Sequence, residues 1–306
     1  MLRRIAFGRT PYLLAAAAAL SFVALGQGGG GGRGGGGGRG AGGGAPAPAQ
    51  TAAPIDLTGY WVSLVTEDWR FRMVTPPAKD YSSVPISPAG RAVADQWDPD
   101  KDIAAGQQCK SYGAAALMRV PTRLHITWAD PNTMKIETDA GTQTRLMHFG
   151  NAPAPAGAPT LQGWSAATWE GAGGGGRGGG GGGFGGPPPA APAPNAAVTA
   201  VPAGAGPPRA PAPAAGRGGA RGGSMKVVTT HMSGGYLRKN GVPYSPNALL
   251  TEYYDRTTEP NGDSLLIITT IVEDPQYLTG QFVTSTHFKR LADSGPGWSP
   301  SPCEAK

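Results

Sequence analysis

Cysteine is scarce in this chain, with two in 306 residues, Cys109 and Cys303. That rules out a disulfide-dense scaffold and a Cys-rich zinc module. The longest apolar run, Tyr12 to Leu25, falls short of the roughly 20 residues a spanning helix needs. Familiar catalytic signatures are missing as well. There is no His-Glu-x-x-His, and Gly163-Trp164-Ser165-Ala166-Ala167 lacks the second Gly of a nucleophile elbow. Gly-x-Gly-x-x-Gly matches fall only in glycine tracts and are compositional. Acidic residues are absent from Ala172 to Gly223, a tract almost entirely of Gly, Ala, Pro and Arg with one aromatic, Phe184. Such a composition, shared by Gln27 to Pro54, offers too little apolar surface to offset ordering entropy, and it predicts disorder in both tracts.

The charge balance follows from the same partition. Arg3, Arg4 and Arg9 lie in the leader, and Arg33, Arg39, Arg177, Arg209, Arg217 and Arg221 lie in the tracts. Removing these nine from the 26 basic residues leaves 17 against 20 acidic ones, a net of about −3. The pI of 9.4 therefore describes leader and linkers, and no nucleic-acid partner is expected. The Arg-Gly dipeptides of the long tract read as solvated linker. Met1 to Gly26 reads as a signal peptide: arginines, an apolar run, then the small-x-small pattern Ala24-Leu25-Gly26. Arg3-Arg4 lacks the Phe-Leu of a twin-arginine signal, and no Cys follows the run to carry a lipid. The expectation is an exported chain, periplasmic or extracellular, with no membrane span after cleavage. Residues 55–306 then form one β domain interrupted by 172–223, with about 200 foldable residues.

What is present is alternation. Leu124, Ile126 and Trp128 alternate with polar residues, Asp130-Pro131-Asn132 breaks the run, and Met134 to Thr138 alternates again. Asp139-Ala140-Gly141 breaks it once more before Thr142 to Phe149. Period-2 runs bounded by Asp, Asn, Pro and Gly predict consecutive antiparallel strands. Further strands are predicted from Ile55 to Val65, at Trp69, Phe71 and Met73, and from Leu161 to Glu170. Beyond the tract they are predicted from Ser224 to His231, Leu249 to Asp255, Leu265 to Val272 and Phe282 to Lys289. The fold class is all-β: a mostly antiparallel meander of about eight to ten strands closing into a barrel, which leaves no exposed edge. One short helix is expected after Ser87-Pro88, stopped by Asp98-Pro99-Asp100. Asp98, Asp100 and Asp102 lack the Gly and Glu of a calcium loop, so they read as a solvated turn.

Gly59-x-Trp61 on the first strand resembles the opening of lipocalin-like barrels, where a Trp closes one end beneath a basic residue of the last strand, here Lys289 or Arg290. A wider resemblance covers nearly all of the foldable part. It rests on Pro88-Ala89-Gly90, Trp97-Asp98, Cys109, Arg145, Ser165 to Gly171, Val227 to Thr230, Glu252, Asp274-Pro275 and Cys303. In this order they resemble a family of exported acidobacterial and proteobacterial proteins without assigned activity, which implies a lipocalin-like β-structure. In that family Trp-Glu-Gly runs straight into the next strand. Here 172–223 separates Gly171 from Ser224, so the tract reads as an insertion. The resemblance brings no catalytic residues.

Two cysteines in one exported domain imply a Cys109–Cys303 disulfide, stabilising by roughly 4–5 kcal/mol in the chain-entropy account. The histidines His125, His148, His231 and His287 fall on separate predicted strands without ligand-pair spacing, so no metal or other cofactor is expected. Glu137, Glu170, Glu252, Asp255 and Glu273 are the acid–base candidates. Glu252 shares a strand face with Leu250 and Tyr254, and a carboxylate among apolar groups needs a partner, for which Arg145 is the choice. The expected ligand-binding set is Arg145, His148, Glu252, Tyr254 and His287, with Arg145 and His148 forming a ligand-facing wall. Seven Trp and nine Tyr would line or close a pocket for a small, partly apolar molecule. The chain thus reads as a binding module rather than an enzyme. The alternatives are an envelope hydrolase using Glu252 with a histidine, and a structural envelope protein tethered through its Gly/Pro tract. Oligomeric state is not legible.

Overall fold

The computed structural model describes residues 46–171, 223–292 and 297–305. The predicted signal peptide, most of the first Gly-rich tract and residues 172–222 lie outside the described residues.

Nine strands close into a barrel in the order β1-β11-β10-β9-β6-β5-β4-β3-β2. These are β1 (Gly59–Leu64), β2 (Arg123–Asp130), β3 (Thr133–Thr138), β4 (Thr144–Phe149), β5 (Trp164–Glu170) and β6 (Ser224–Thr230). A two-stranded ribbon follows, β7 (Gly235–Tyr236) with β8 (Pro243–Tyr244), and then β9 (Leu249–Thr258), β10 (Ser264–Glu273) and β11 (Phe282–Arg290) complete the wall. The predicted meander is β2 to β4, and Asn132 turns its first hairpin by donating its backbone N–H to Asp130 Oδ1 at 2.8 Å. Every pairing in the wall is antiparallel except β4 with β5 (Met147 opposite Ser165), because the chain returns along the barrel between Gly150 and Gly163 before β5 starts.

Period-2 alternation fills the interior. Leu124 and Ile126 of β2, Ile136 of β3, Met147 of β4, Val227 of β6, Leu266 and Ile268 of β10 and Phe288 of β11 are fully buried, and with Trp61 they make the barrel core. Trp61 donates its indole N–H to Leu57 O at 2.9 Å. Of the two basic residues considered for it, Arg290 lies near the Trp61 ring, 5.7 Å from guanidinium carbon to ring centroid. Lys289 pairs with Asp263 instead.

The loops do not divide evenly between the barrel ends. The segments joining β1 to β2, β6 to β9 and β10 to β11 all gather at one end and form a cap with its own core, including Tyr81, Leu237, Val242, Tyr244, Leu250, Val272 and Phe282. Glu170 and Ser224 face each other at the opposite end, so the two sides of the long tract leave the wall at adjacent positions.

The cap corrects three expectations. Four short α-helices stand where one was expected: α1 (Trp69–Met73), α2 (Pro88–Ala94), α3 (Pro99–Ala104) and α4 (Ala114–Leu117). α2 is the expected helix, with Ser87 Oγ accepting from Gly90 N at 3.0 Å. Asp98-Pro99-Asp100 starts α3 rather than only stopping α2, since Asp98 caps Asp100 N and Pro99 takes the first helical position. Trp69, Phe71 and Met73 lie on a helix and not a strand. The backbone turns left-handed at Asp68 (φ 51°), and Arg72 anchors the turn through Arg119 O, Glu67 and Ser63. A run of five residues carries too few periods to separate the two geometries.

The first linker also ends earlier than composition suggested. Ala49 is buried against the wall, its N–H bonded to Asn132 Oδ1 at 2.9 Å and its carbonyl accepting the Trp169 indole at 2.9 Å. Cys109, in a 3-10 turn (Gln108–Tyr112), is bonded to Cys303 and ties the C-terminal segment to the cap across 194 residues.

Candidate functional site

Arg145, Glu252 and Tyr254 point inward from β4 and β9, as alternation from Met147 and Leu250 requires. The Arg145 guanidinium crosses β5 and β6 to reach Glu252. It donates from Nη1 to Oε1 at 3.0 Å and from Nη2 to Oε2 at 2.7 Å, and from Nη2 also to Thr229 Oγ1 at 3.2 Å. Ser165 and Thr229 hydroxyls hydrogen-bond each other at 2.8 Å beside it. Both charged side chains have zero exposure. Burial works against the Arg145 charge, but Glu252 outweighs it and holds the guanidinium pKa above its ordinary value. The Tyr254 hydroxyl is buried beside the pair, and burial together with the Glu252 charge pushes its pKa up. Tyr244 of β8, its hydroxyl without a partner among the described residues, belongs to the cap core. The cluster is an ionic strut sealed in the protein. It can hold four strands in register, but solvent does not reach it.

The two histidines of the expected ligand-binding set, His148 and His287, are elsewhere. His148 is three residues from Arg145 on the same strand, so it faces outward, where its ring stacks on Trp164 at 3.8 Å. Burial under that indole holds its pKa below the usual histidine value. His287 precedes inward Phe288 and is likewise outward, 3.2 Å from Glu67 and from Thr66. His125 is outward too, stacked on Tyr60 at 4.1 Å, and His231 is exposed just beyond the end of β6. Glu252 therefore has no histidine partner, and the Glu/His hydrolase arrangement is not formed. Among the described residues no three His, Cys, Asp or Glu side chains converge as a metal set.

Larger, more open concavities lie along the wall, one of about 560 Å³ beside Ala49, Phe149 and Trp169, but the two that adjoin each other, one of them walled by buried arginines, are in the cap. An inner chamber of about 60 Å³ is lined by Phe71, Ser111, Val120, Leu237, Arg119 and Arg238, among others. An outer cleft of about 180 Å³, walled by Trp69, Phe71, Val74, Pro76 and Pro77, adjoins it and shares Phe71, Val74 and Thr75. Trp69, Met73 and Val74 are more than half exposed, so apolar surface continues outward from the cleft. Three elements position the arginines. Arg72 sits on α1, Arg119 follows the buried Ala114–Met118 run, and Arg238 follows β7. Sequence reasoning missed this site, because residues 71, 119 and 238 meet only through the cap. The one local signal was Arg119 directly after five apolar residues, a cation that burial would carry inward.

No protein family, curated protein or solved structure matches the chain.

Proposed function

We propose that this is an exported β-barrel protein that binds a small, partly apolar ligand at the capped end, with the barrel as its scaffold. The observation carrying this reading is the pair of adjoining cavities: one ends in arginine side chains, the other is walled by Trp69, Val74 and two prolines. Ligand sites pair apolar walls with a few placed polar groups. Both volumes are below the roughly 300 Å³ at which drug-sized pockets begin, so the ligand is small or leaves part of itself over the exposed Trp69–Val74 edge. The barrel interior is a less suitable seat, since its inward side chains from Trp61 to Phe288 are fully buried. Export is supported by the Cys109–Cys303 bond, which persists in oxidising compartments, and by the signal-like Met1–Gly26. The resemblance to exported acidobacterial and proteobacterial proteins agrees. No helix among the described residues is long and apolar enough to cross a membrane.

Native mass spectrometry of protein purified from its own host tests the reading. The expected result is a single small-molecule adduct that disappears in Val74→Glu, a variant at a position exposed enough to leave folding intact. An adduct unaffected by Val74→Glu, or none on the host-derived protein, would overturn it.

A further inference from the structure

We propose that the inner chamber is an oxyanion site, in which Arg238 and Arg119 take a carboxylate or phosphate group. It deepens the reading above and rests on it only for the apolar remainder of the ligand.

Four arginines among the described residues are buried, and they are satisfied unequally. Arg145 has Glu252 on both terminal nitrogens and leaves only Nε without a partner among the described residues. Arg72 donates from all three nitrogens, to Arg119 O, Glu67 and Ser63. Arg238 differs. It is only 3% exposed, and Nη1 donates to Ser82 O at 2.7 Å, yet Nε and Nη2 have no partner among the described residues. Those two nitrogens share one edge of the guanidinium, the fork that receives both oxygens of a carboxylate or phosphate. Arg119, 6% exposed, spends Nη1 on Asp68 at 2.8 Å and leaves Nη2 unpartnered. Both residues line the chamber.

Charge makes the same point. Around the chamber, Arg72 pairs with Glu67, Arg119 with Asp68, and Lys239 lies 4.0 Å from Glu304. Among the described residues, no carboxylate comes within salt-bridge distance of Arg238. Asp80, the other acid near it, is 3.8 Å from Arg70 and bonded to Ser82. What Arg238 has instead is the Phe71 ring, 4.2 Å from its guanidinium carbon, while Phe282 lies within 6 Å of both Arg238 and Arg119. Burial, with the Arg119 charge beside it, pushes the Arg238 guanidinium down to about 10, the behaviour of a cation short of a counter-charge that still stays charged at neutral pH. A buried polar group without a partner costs folding free energy, and such a group in a native protein calls for a ligand or a role. The chamber's 60 Å³ suits a group of a few heavy atoms, and Ser111 and Thr75 put hydroxyls on its wall.

Calorimetric titration of the full, oxidised chain at low ionic strength tests the proposal with inorganic phosphate, acetate, hexanoate and neutral hexanol as probes. Saturable 1:1 binding of at least one oxyanion is expected. Arg238→Lys keeps the charge and loses the fork, so it should weaken that binding at least tenfold. Arg119→Lys should weaken it several-fold, and Arg256→Lys at the far end of the barrel should not change it. Circular dichroism and the thermal midpoint confirm that each variant folds. Phosphate binding more tightly than acetate would identify the group as phosphate, and the reverse as carboxylate; either supports the site. Hexanol binding as well as hexanoate, or equal oxyanion affinity in wild type and Arg238→Lys, would overturn the oxyanion site while leaving an apolar ligand standing. If acetate binds through Arg238 and hexanoate gains nothing over it, the oxyanion site stands and the partly apolar reading falls.

Discussion

Glu252→Gln removes a charge from the centre of the protein while keeping the side chain's size, so it isolates the work of the ion pair. Arg145 and Glu252 are both without exposure, and among the described residues their two hydrogen bonds at 3.0 and 2.7 Å are the guanidinium's only charge compensation. Neutralising one partner leaves a buried cation with amide and hydroxyl acceptors alone. Breaking such a pair costs about 3–5 kcal/mol, and the remaining acceptors Thr229 and Ser165 place the expectation at the lower end. With an m-value of about 2 kcal/mol/M, 3 kcal/mol lowers the urea midpoint by about 1.5 M. Replacing both residues with methionine removes both desolvation costs, and Ser165 and Thr229 still satisfy each other. The Arg145→Met/Glu252→Met protein should return to within about 1 kcal/mol of wild type or exceed it, a coupling of at least about 2 kcal/mol. Urea unfolding followed by tryptophan fluorescence, disulfide intact, reads all the midpoints. A cost below about 1 kcal/mol for Glu252→Gln, or an Arg145→Met/Glu252→Met protein as unstable as the sum of Arg145→Met and Glu252→Met made singly, would refute the account of the pair as a sealed strut.

Three further outcomes are expected. His148 should titrate below the ordinary histidine value of about 6.5 when followed by NMR. Because its folded pKa is depressed, its contribution to stability is present above that value and lost as pH falls through the folded pKa, and His148→Gln should remove that part of the acid slope; titration at or above the ordinary value would contradict burial under Trp164. Cys109→Ser/Cys303→Ser should lower stability by about 2–5 kcal/mol, and the denatured, unreduced wild-type chain should show no titratable thiol; a full two thiols would refute the bridge. Gly262→Ala and Gly241→Ala both force a side chain into left-handed backbone, at about 1 kcal/mol, but only at Gly241 does the new Cβ also meet a wall, 2.1 Å from Trp97 Cγ. Gly241→Ala should be clearly the worse in thermal melts, and equal melting temperatures would refute that packing.

Much of the barrel was legible because one face of each strand must avoid water. The alternation at Leu124 and Ile126, at Leu266 and Ile268 and from Phe282 to Phe288 marks the inward faces directly. The same rule paired Glu252 with a cation and picked Arg145. Applied strictly, it would also have removed His148 and His287 from the inward set. His148 is an odd number of residues from Arg145, and His287 sits next to inward Phe288. Pattern could not reach the cap. α1 is too short for a period to show, and its helical turn depends on Arg72 bonding across to Arg119 O. Nor does any local feature of Leu237-Arg238-Lys239 reveal that its arginine ends up against Phe71, 167 positions away.

By itself, the sequence determined the class of the fold, the strands that face water on one side only, the disulfide partners and the buried Arg145–Glu252 pair. These follow from period-2 solvation, from a count of two cysteines and from the cost of burying a carboxylate unpaired. The tertiary structure decided which end of the barrel carries the cap, and that two adjoining cavities form there. It also left one buried guanidinium fork without a counter-charge, an outcome of packing between segments over 100 residues apart that no local propensity encodes.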